Sequence, residues 1–285
     1  FKIMGKSKSE VLNIVAPCAK QSFSLVKTAG ILLTAGLMLA GLSACSTDVT
    51  ESTSGLNTLT AEEEREGWEL VFNGQTLDGW RGVNMNGIPE EHWVVENGML
   101  KKVARDSVST DAEGRPLPGG DILLDRTVNN FEFAFEWKVT SVANSGIKYN
   151  VLEELTADQR RPIAALGFEY QVLDDPEYPD VKDNPSMGTS GLYDLVDPEV
   201  DVQLNPKGEW NSGRIVYDGN HGEHWLNGER VLTFELGTPE MDAALAASKW
   251  SDNEEFGIRN EDSFIVIQDH SSEVWYRNLK LKELP

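Results

Sequence analysis

Cysteine is scarce. The 285-residue chain holds two, Cys18 and Cys45, too few for the disulfide framework of a small secreted domain. A fold without cross-links must rest on its core, and 40% hydrophobic residues with eight tryptophans supply material for a large one. Positive charge is also short: 25 Lys and Arg against 47 Asp and Glu leave a formal net charge of −22. Such a surface repels a phosphate backbone, so nucleic acid is excluded as a partner; the balance suits a neutral or cationic ligand, or solubility alone. No glycine pattern of the dinucleotide-binding type occurs, so no oxidation step can be assigned to this chain. Internal repeats are missing as well.

Acidic residues are nearly absent from the first 44 positions, where five lysines precede the apolar run AGILLTAGLMLAGLSA. That is the layout of a secretory signal. The run ends in LSAC, Leu42 to Cys45, which resembles the lipobox of bacterial lipoproteins. The resemblance implies removal of residues 1–44, a lipid on Cys45, and anchorage in the bacterial cell envelope. The stretch from Thr28 to Ala44 is also almost long enough to cross a bilayer as a helix, but the small residues before Cys45 and the polar chain after it favour the lipobox. Removal takes away Cys18, five lysines and one glutamate, leaving no disulfide pair and a formal charge of −26. Residues 45–60, rich in Ser, Thr, Asn and Gly, read as a flexible tether, and the folded domain is expected over 61–285.

Within that domain the signal is β. In FEFAFEWKV, Phe131, Phe133, Phe135, Trp137 and Val139 alternate with Glu132, Ala134, Glu136 and Lys138, giving a strand with one buried face. Similar runs recur to the C-terminus, and Asn-Gly turns in ENG and LNGE join strands as tight hairpins. Thr60 and Glu63 have the spacing of a capping box; TADQRRPIAAL and PEMDAALAASKW are the other helical stretches. The expected fold is all-β, a two-sheet antiparallel sandwich of the jelly-roll type with short helical insertions.

Seven segments in order, LVFNGQTLDGW, WVVENGML, FEFAFEWKV, NSGIKYNV, GFEYQVLDD, GEWNSGRIVYDGNHGEHWLNG and IVIQDHSSEVWYRNLKLKEL, resemble the 3-keto-disaccharide hydrolase domain family from about Gly67 to Leu284. The resemblance implies a sandwich similar to concanavalin A-like lectins and glucanases, and an enzyme acting on 3-keto-disaccharides or 3-keto-glycosides. Fold alone does not settle this, because such sandwiches host binding modules as well as enzymes.

In GFEYQVLDD, Glu169 and Gln171 share one strand face and Phe168, Tyr170 and Val172 the other. Glucanases of this fold carry paired acids two residues apart on one strand; here the second position is Gln171, which cannot serve as an acid. A 3-keto sugar needs only one base, because the ketone acidifies the hydrogen on C2 and sets the C1 leaving group β to the carbonyl. The expected roles are therefore Glu169 as base, His270 in IQDH as acid or second base, and Gln171, Asn144 and Arg277 as substrate-binding residues. Asn144 is read as part of a small polar turn, NSGI, in which Gly146 permits close approach; Arg277 could equally pair with a surface carboxylate. Each of the others also has a plain reading, as a solvated or packed polar residue.

His221 and His224, flanking Glu223, have a spacing that invites zinc, and the acidic stretch DDPEYPDVKD could offer oxygens to calcium. Neither set is regular, so no metal or cofactor is predicted, although a divalent ion is left open. The tryptophans fit core packing, with Trp210 and Trp225 less settled. The family pattern often carries an Arg in the segment where this chain has KYNV, so Tyr149 and Asn150 are expected to alter the pocket, and Arg160 or Arg161 to reach it from the following insert. The alternatives are a non-catalytic carbohydrate-binding module, a conventional glycoside hydrolase using Asp174 or Asp194 beside Glu169, and a structural envelope protein. Under the leading reading a separate sugar dehydrogenase must supply the ketone, and the lipid anchor is the sole link to a membrane.

Overall fold

The computed structural model describes residues 55–155 and 162–285. The signal segment, Cys45, most of the tether, and Arg160 and Arg161 lie outside the described residues. Thirteen strands are present among the described residues: β1 (Glu69–Leu70), β2 (Trp80–Gly82), β3 (Trp93–Glu96), β4 (Met99–Lys102), β5 (Ile122–Leu124), β6 (Phe131–Val139), β7 (Asn144–Val151), β8 (Phe168–Leu173), β9 (Asn211–Asp218), β10 (His221–Leu226), β11 (Glu229–Glu235), β12 (Phe264–Ile267) and β13 (Val274–Glu283). They form two antiparallel sheets. The larger runs β11-β10-β9-β6-β13-β4-β3, with β1 also paired to β13; the smaller runs β2-β5-β12-β7-β8. The expected sandwich is therefore the fold.

Local chemistry explains the elements. The alternation in β6 buries Phe131, Phe133, Phe135, Trp137 and Val139 and leaves the residues between them half-buried. Asn97-Gly98 and Asn227-Gly228 take positive φ (52°, 79° and 49°, 85°) and close the β3–β4 and β10–β11 hairpins as two-residue turns. Thr60 and Glu63 form the reciprocal capping box of α1 (Ala61–Arg65), and Thr238 caps α2 (Pro239–Ala247). The TADQRRPIAAL helix does not appear where the segment is described: residues 162–164 form turns and bends and Ala165–Leu166 carries no helix, since Pro162 supplies no N–H and the apolar side chains pack inward instead.

The core fills the space between the sheets, where β6 and β9 of one meet β7 and β8 of the other. Phe135 meets Tyr170 edge to face at 5.1 Å, and Tyr149 meets Tyr217 at 5.3 Å. Tyr149, fully buried, donates to His224 Nε2 at 2.8 Å, and His224 Nδ1–H donates to the carbonyl of Ser190 at 2.9 Å. Burial pushes the His224 imidazole down to about 4. It is a core histidine. His221, three residues earlier on β10, is half-exposed between Glu223 and Glu235. Three residues along a strand separate the two rings onto opposite faces, so they form no zinc site.

β8 is the last strand of the smaller sheet, but its outer edge is not open. The segment after it lies alongside: Ser190 N–H donates to Gln171 O, Gln171 N–H to Gly191 O, and Tyr193 N–H to Glu169 O, at 2.9, 3.3 and 3.0 Å. Both faces of β8 are consequently buried. Phe168, Tyr170 and Val172 enter the core, while Glu169 and Gln171 point to the sheet's other face.

Candidate active site

On that other face a cavity of about 300 Å³ opens over β7, β8 and the end of β12. Gly146 of β7 stands opposite Gln171, and Lys148 opposite Glu169. A methyl group on Gly146 would come within 2.5 Å of Glu169 Oε1, so the bare glycine leaves the space into which the carboxylate folds. Gln268 continues β12, donating its N–H to Gly146 O at 2.9 Å, and its side-chain amide donates to Glu169 Oε2 at 3.1 Å. The floor is thus a ring of polar groups around one glycine.

Glu169 is only 9% exposed, and burial pushes its carboxyl up to about 7 against the opposing pull of Lys148 and Lys249. Gln171 donates to Met187 O at 3.2 Å. Its Oε1, together with Asn144 Oδ1 and Gln268 Oε1, is buried without a hydrogen-bond partner. The amide nitrogens of the two glutamines are fixed by their acceptors, which assigns these oxygens as acceptors in turn. Three orphaned acceptors at one cavity floor are costly unless ordered water or a ligand donates to them.

The other cavity carboxylates are committed. Asp121 Oδ2 accepts from Lys148 Nζ at 2.9 Å and from Ala165 N–H at 3.0 Å, while its Oδ1 accepts from Asp269 N–H at 2.9 Å. Asp269 accepts from Gly120 and Ser271 backbone N–H and pairs with the buried ammonium of Lys102 at 3.1 Å. Lys102 is pushed below its usual range by burial, against the pull of Asp269. Asp269 thereby pins the backbone on both sides of His270, which is exposed at the rim.

Four of the expected site residues, Glu169, Gln171, Asn144 and His270, line this one cavity. Asn144 does so from the first position of β7; NSGI is strand, and the turn lies in the four residues before it. Arg277 is elsewhere. It sits on β13 in the larger sheet, where Nε donates to Glu136 Oε2 at 2.6 Å and the guanidinium lies 3.9 Å from the centre of the Trp210 ring. Strand alternation sets it on that sheet's outer face, across the sandwich from the cavity. Asp174 and Asp194 do not line the cavity either: Asp174 pairs with Lys207 at 3.0 Å, and Asp194 Oδ2 accepts the backbone N–H of Lys249 at 2.8 Å. Tyr149 belongs to the core and Asn150 holds Ile258 and Asn260, so neither shapes the pocket. In the acidic stretch, Asp175 accepts from Thr189, and among the described residues no three His, Cys, Asp or Glu side chains gather as a metal site.

The model of the 3-keto-alpha-glucoside-1,2-lyase-like domain family matches residues 67–282. The chain belongs to that family. A 3-keto-disaccharide hydrolase of Bacteroides thetaiotaomicron is 35% identical over 250 residues, spanning 80% of this chain and 82% of the relative. A Parabacteroides distasonis structure, provisionally described as a glycosyl hydrolase, superposes with a TM-score of 0.67 at 32% identity, covering 81% of this chain and all of that one. A second structure from the same organism, at 23% identity, TM-score 0.53 and 76% and 99% coverage, shares the fold.

In this 3-keto-alpha-glucoside-1,2-lyase-like domain, the remaining walls come from residues that sequence reading passed over: Asp121, Lys148, Tyr193, Lys249, Trp250 and Gln268. Trp250 leans on Phe256, rings 5.2 Å apart at 37°. Only Gln268 had a local signal, since it lies two residues before His270 on an alternating strand.

Proposed function

We propose that this chain cleaves the glycosidic bond of 3-keto-glycosides, with Glu169 as the single base. The observation that carries this reading is the state of the cavity carboxylates: Asp121 and Asp269 are held by ammonium and backbone donors, and Glu169 alone is poised near neutrality. Conventional retaining or inverting hydrolysis needs two carboxyl groups free to act. Elimination needs one base of suitable pKa.

Glu169 takes the proton from C2, and the C2–H electron pair forms the enolate with its charge on the C3 oxygen. The enolate collapses, the C1–O bond breaks, and the departing oxygen receives a proton from His270 at the rim. Water then adds to the enone: its hydroxyl goes to C1, its remaining proton restores His270, and the proton held by Glu169 returns to C2, so the sum is hydrolysis. Gln171, Gln268 and Asn144 accept from sugar hydroxyls through oxygens that otherwise have no donor. A separate dehydrogenase class, oxidising the C3 hydroxyl, supplies the substrate. We place the enzyme in the bacterial envelope through a lipid on Cys45, which incorporation of a labelled fatty acid into the wild type but not Cys45→Ser would support.

The test is to incubate the folded domain with a 3-keto-disaccharide and with its unoxidised parent. Release of reducing sugar from the keto substrate alone is expected. Cleavage of the parent alone would mean two-carboxylate hydrolysis, and binding without cleavage of either would make the domain a carbohydrate-binding module.

A further inference from the structure

Two ammonium groups face Glu169, and they are held in opposite ways. Lys148 is committed: its Nζ donates to Asp121 Oδ2 and, at 3.0 Å, to Ala165 O. Lys249 lies just beyond α2, and its position is set through the backbone by Asp194. Its Nζ is 4.2 Å from the centre of the Tyr193 ring and 4.5 Å from that of Trp250. Among the described residues it makes no ion pair with a carboxylate, although Glu169 and Asp194 are near enough to favour its charge. Aromatic faces hold the ammonium in place without using its N–H donors as a carboxylate would. Lys249 is exposed as a residue, and its donors stay available at the cavity wall, beside the base.

We propose that Lys249 is the electrophile of this reaction: its ammonium receives the C3 carbonyl oxygen of the keto sugar and holds the charge that develops there when Glu169 removes the C2 proton. This rests on the 3-keto-glycoside reading. C2 and C3 are adjacent, so base and electrophile must converge on neighbouring atoms of one ring, and Glu169 and Lys249 line one cavity with their charges coupled. A cation positioned by its aromatic neighbours before the charge appears stabilises an enolate without the reorganisation that solvent would need. Lys148, with its donors bound, stays the fixed counter-charge of the floor. No bond is made to Lys249: the electron pair from C2–H moves to the C3 oxygen and returns when C1–O breaks.

Enolisation can be isolated with a carbocyclic 3-keto analogue that lacks both C1 oxygens and cannot eliminate. Exchange of its C2 hydrogen in D₂O, followed by NMR, reports proton abstraction alone. Lys249→Met is expected to slow this exchange and kcat on the keto-disaccharide by about 100-fold, the usual effect of losing one oxyanion donor, with KM little changed. Lys249→Arg is expected to recover about tenfold over Met, because a guanidinium is also a charged donor. Exchange by Lys249→Met within a few-fold of wild type, loss confined to KM, or Arg no better than Met would each overturn the assignment. So would a borohydride-reduced adduct on Lys249, which would mean an imine. A wild type that cleaves no keto-glycoside removes the whole reading; an active wild type indifferent to Lys249→Met removes this role alone.

Discussion

The two sheets both turn polar faces away from the core, and the two faces are finished differently. On the larger sheet, Arg277 pairs with Glu136, Lys282 and Arg214 with Glu132, and Lys280 with Glu63. Its tryptophans are capped too: Arg214 lies 4.0 Å from the centre of the Trp225 ring, and Lys138 about 5 Å from both Trp210 and Trp275. On the smaller sheet Lys148, Glu169 and Gln171 are buried, and the side-chain oxygens of Gln171, Asn144 and Gln268 have no donor within the protein. A face whose charges are matched is complete as it stands. A face with orphaned acceptors under cover needs donors from outside the chain, from ordered water or from a ligand that displaces it.

The strongest way to break this contrast is to neutralise Glu169. Glu169→Gln is expected to lower kcat on a 3-keto-disaccharide by at least about 10³-fold, while the wild type's kcat/KM rises with pH through an apparent pKa near 7. The same change should stabilise the fold. A carboxyl whose folded pKa is raised favours the folded state below its unfolded value near 4.5, and this advantage is lost as pH rises toward 7. At pH 8, Glu169→Gln should therefore exceed wild type by up to about 3 kcal/mol in urea unfolding, with the gap closing near pH 4. An equal gap at both pH values would sink the buried-carboxyl account.

Next in size is Gly146→Ala. The added methyl displaces the Glu169 carboxylate, and kcat/KM should fall about 100-fold even though Glu169 remains. Near wild-type turnover would mean the carboxylate has room to spare. Gln171→Leu removes an unpartnered oxygen along with its amide, so KM should rise on the order of tenfold while stability changes by less than about 1 kcal/mol. A large stability loss with unchanged KM would reclassify it as a structural residue. The smallest effect is expected across the sandwich: Arg277→Ala should leave kcat/KM within about twofold and cost under about 1 kcal/mol, as partly exposed ion pairs do. A tenfold loss of activity there would erase the distinction between the faces.

How much of this could be read in advance follows from the range of each interaction. The sandwich was legible because alternation in β6, Asn-Gly turns and the Thr60 capping box are local signals. Glu169 and Gln171 were legible for the same reason, as a polar pair on one face of a strand. Arg277 misled because a guanidinium on a strand reads alike whichever sheet that strand joins, and the sequence does not show β13 crossing to the larger sheet. The place of His224 was not legible either, since nothing local reveals that its ring meets Tyr149 across the core. Lys249 and Trp250 follow a short helix with no sheet periodicity, and only tertiary folding brings them beside residues 80 positions earlier.

The segment lying along β8 also bears on how the chain survives before it meets a substrate. An uncovered last strand offers a row of backbone donors and acceptors to any neighbouring chain. Here the backbone bonds that bring Tyr193 to the cavity wall occupy that row at Glu169 and Gln171. Loosening residues 188–193 would therefore expose a template for intermolecular pairing at the same time as it opened the site, tying catalytic integrity to resistance against aggregation.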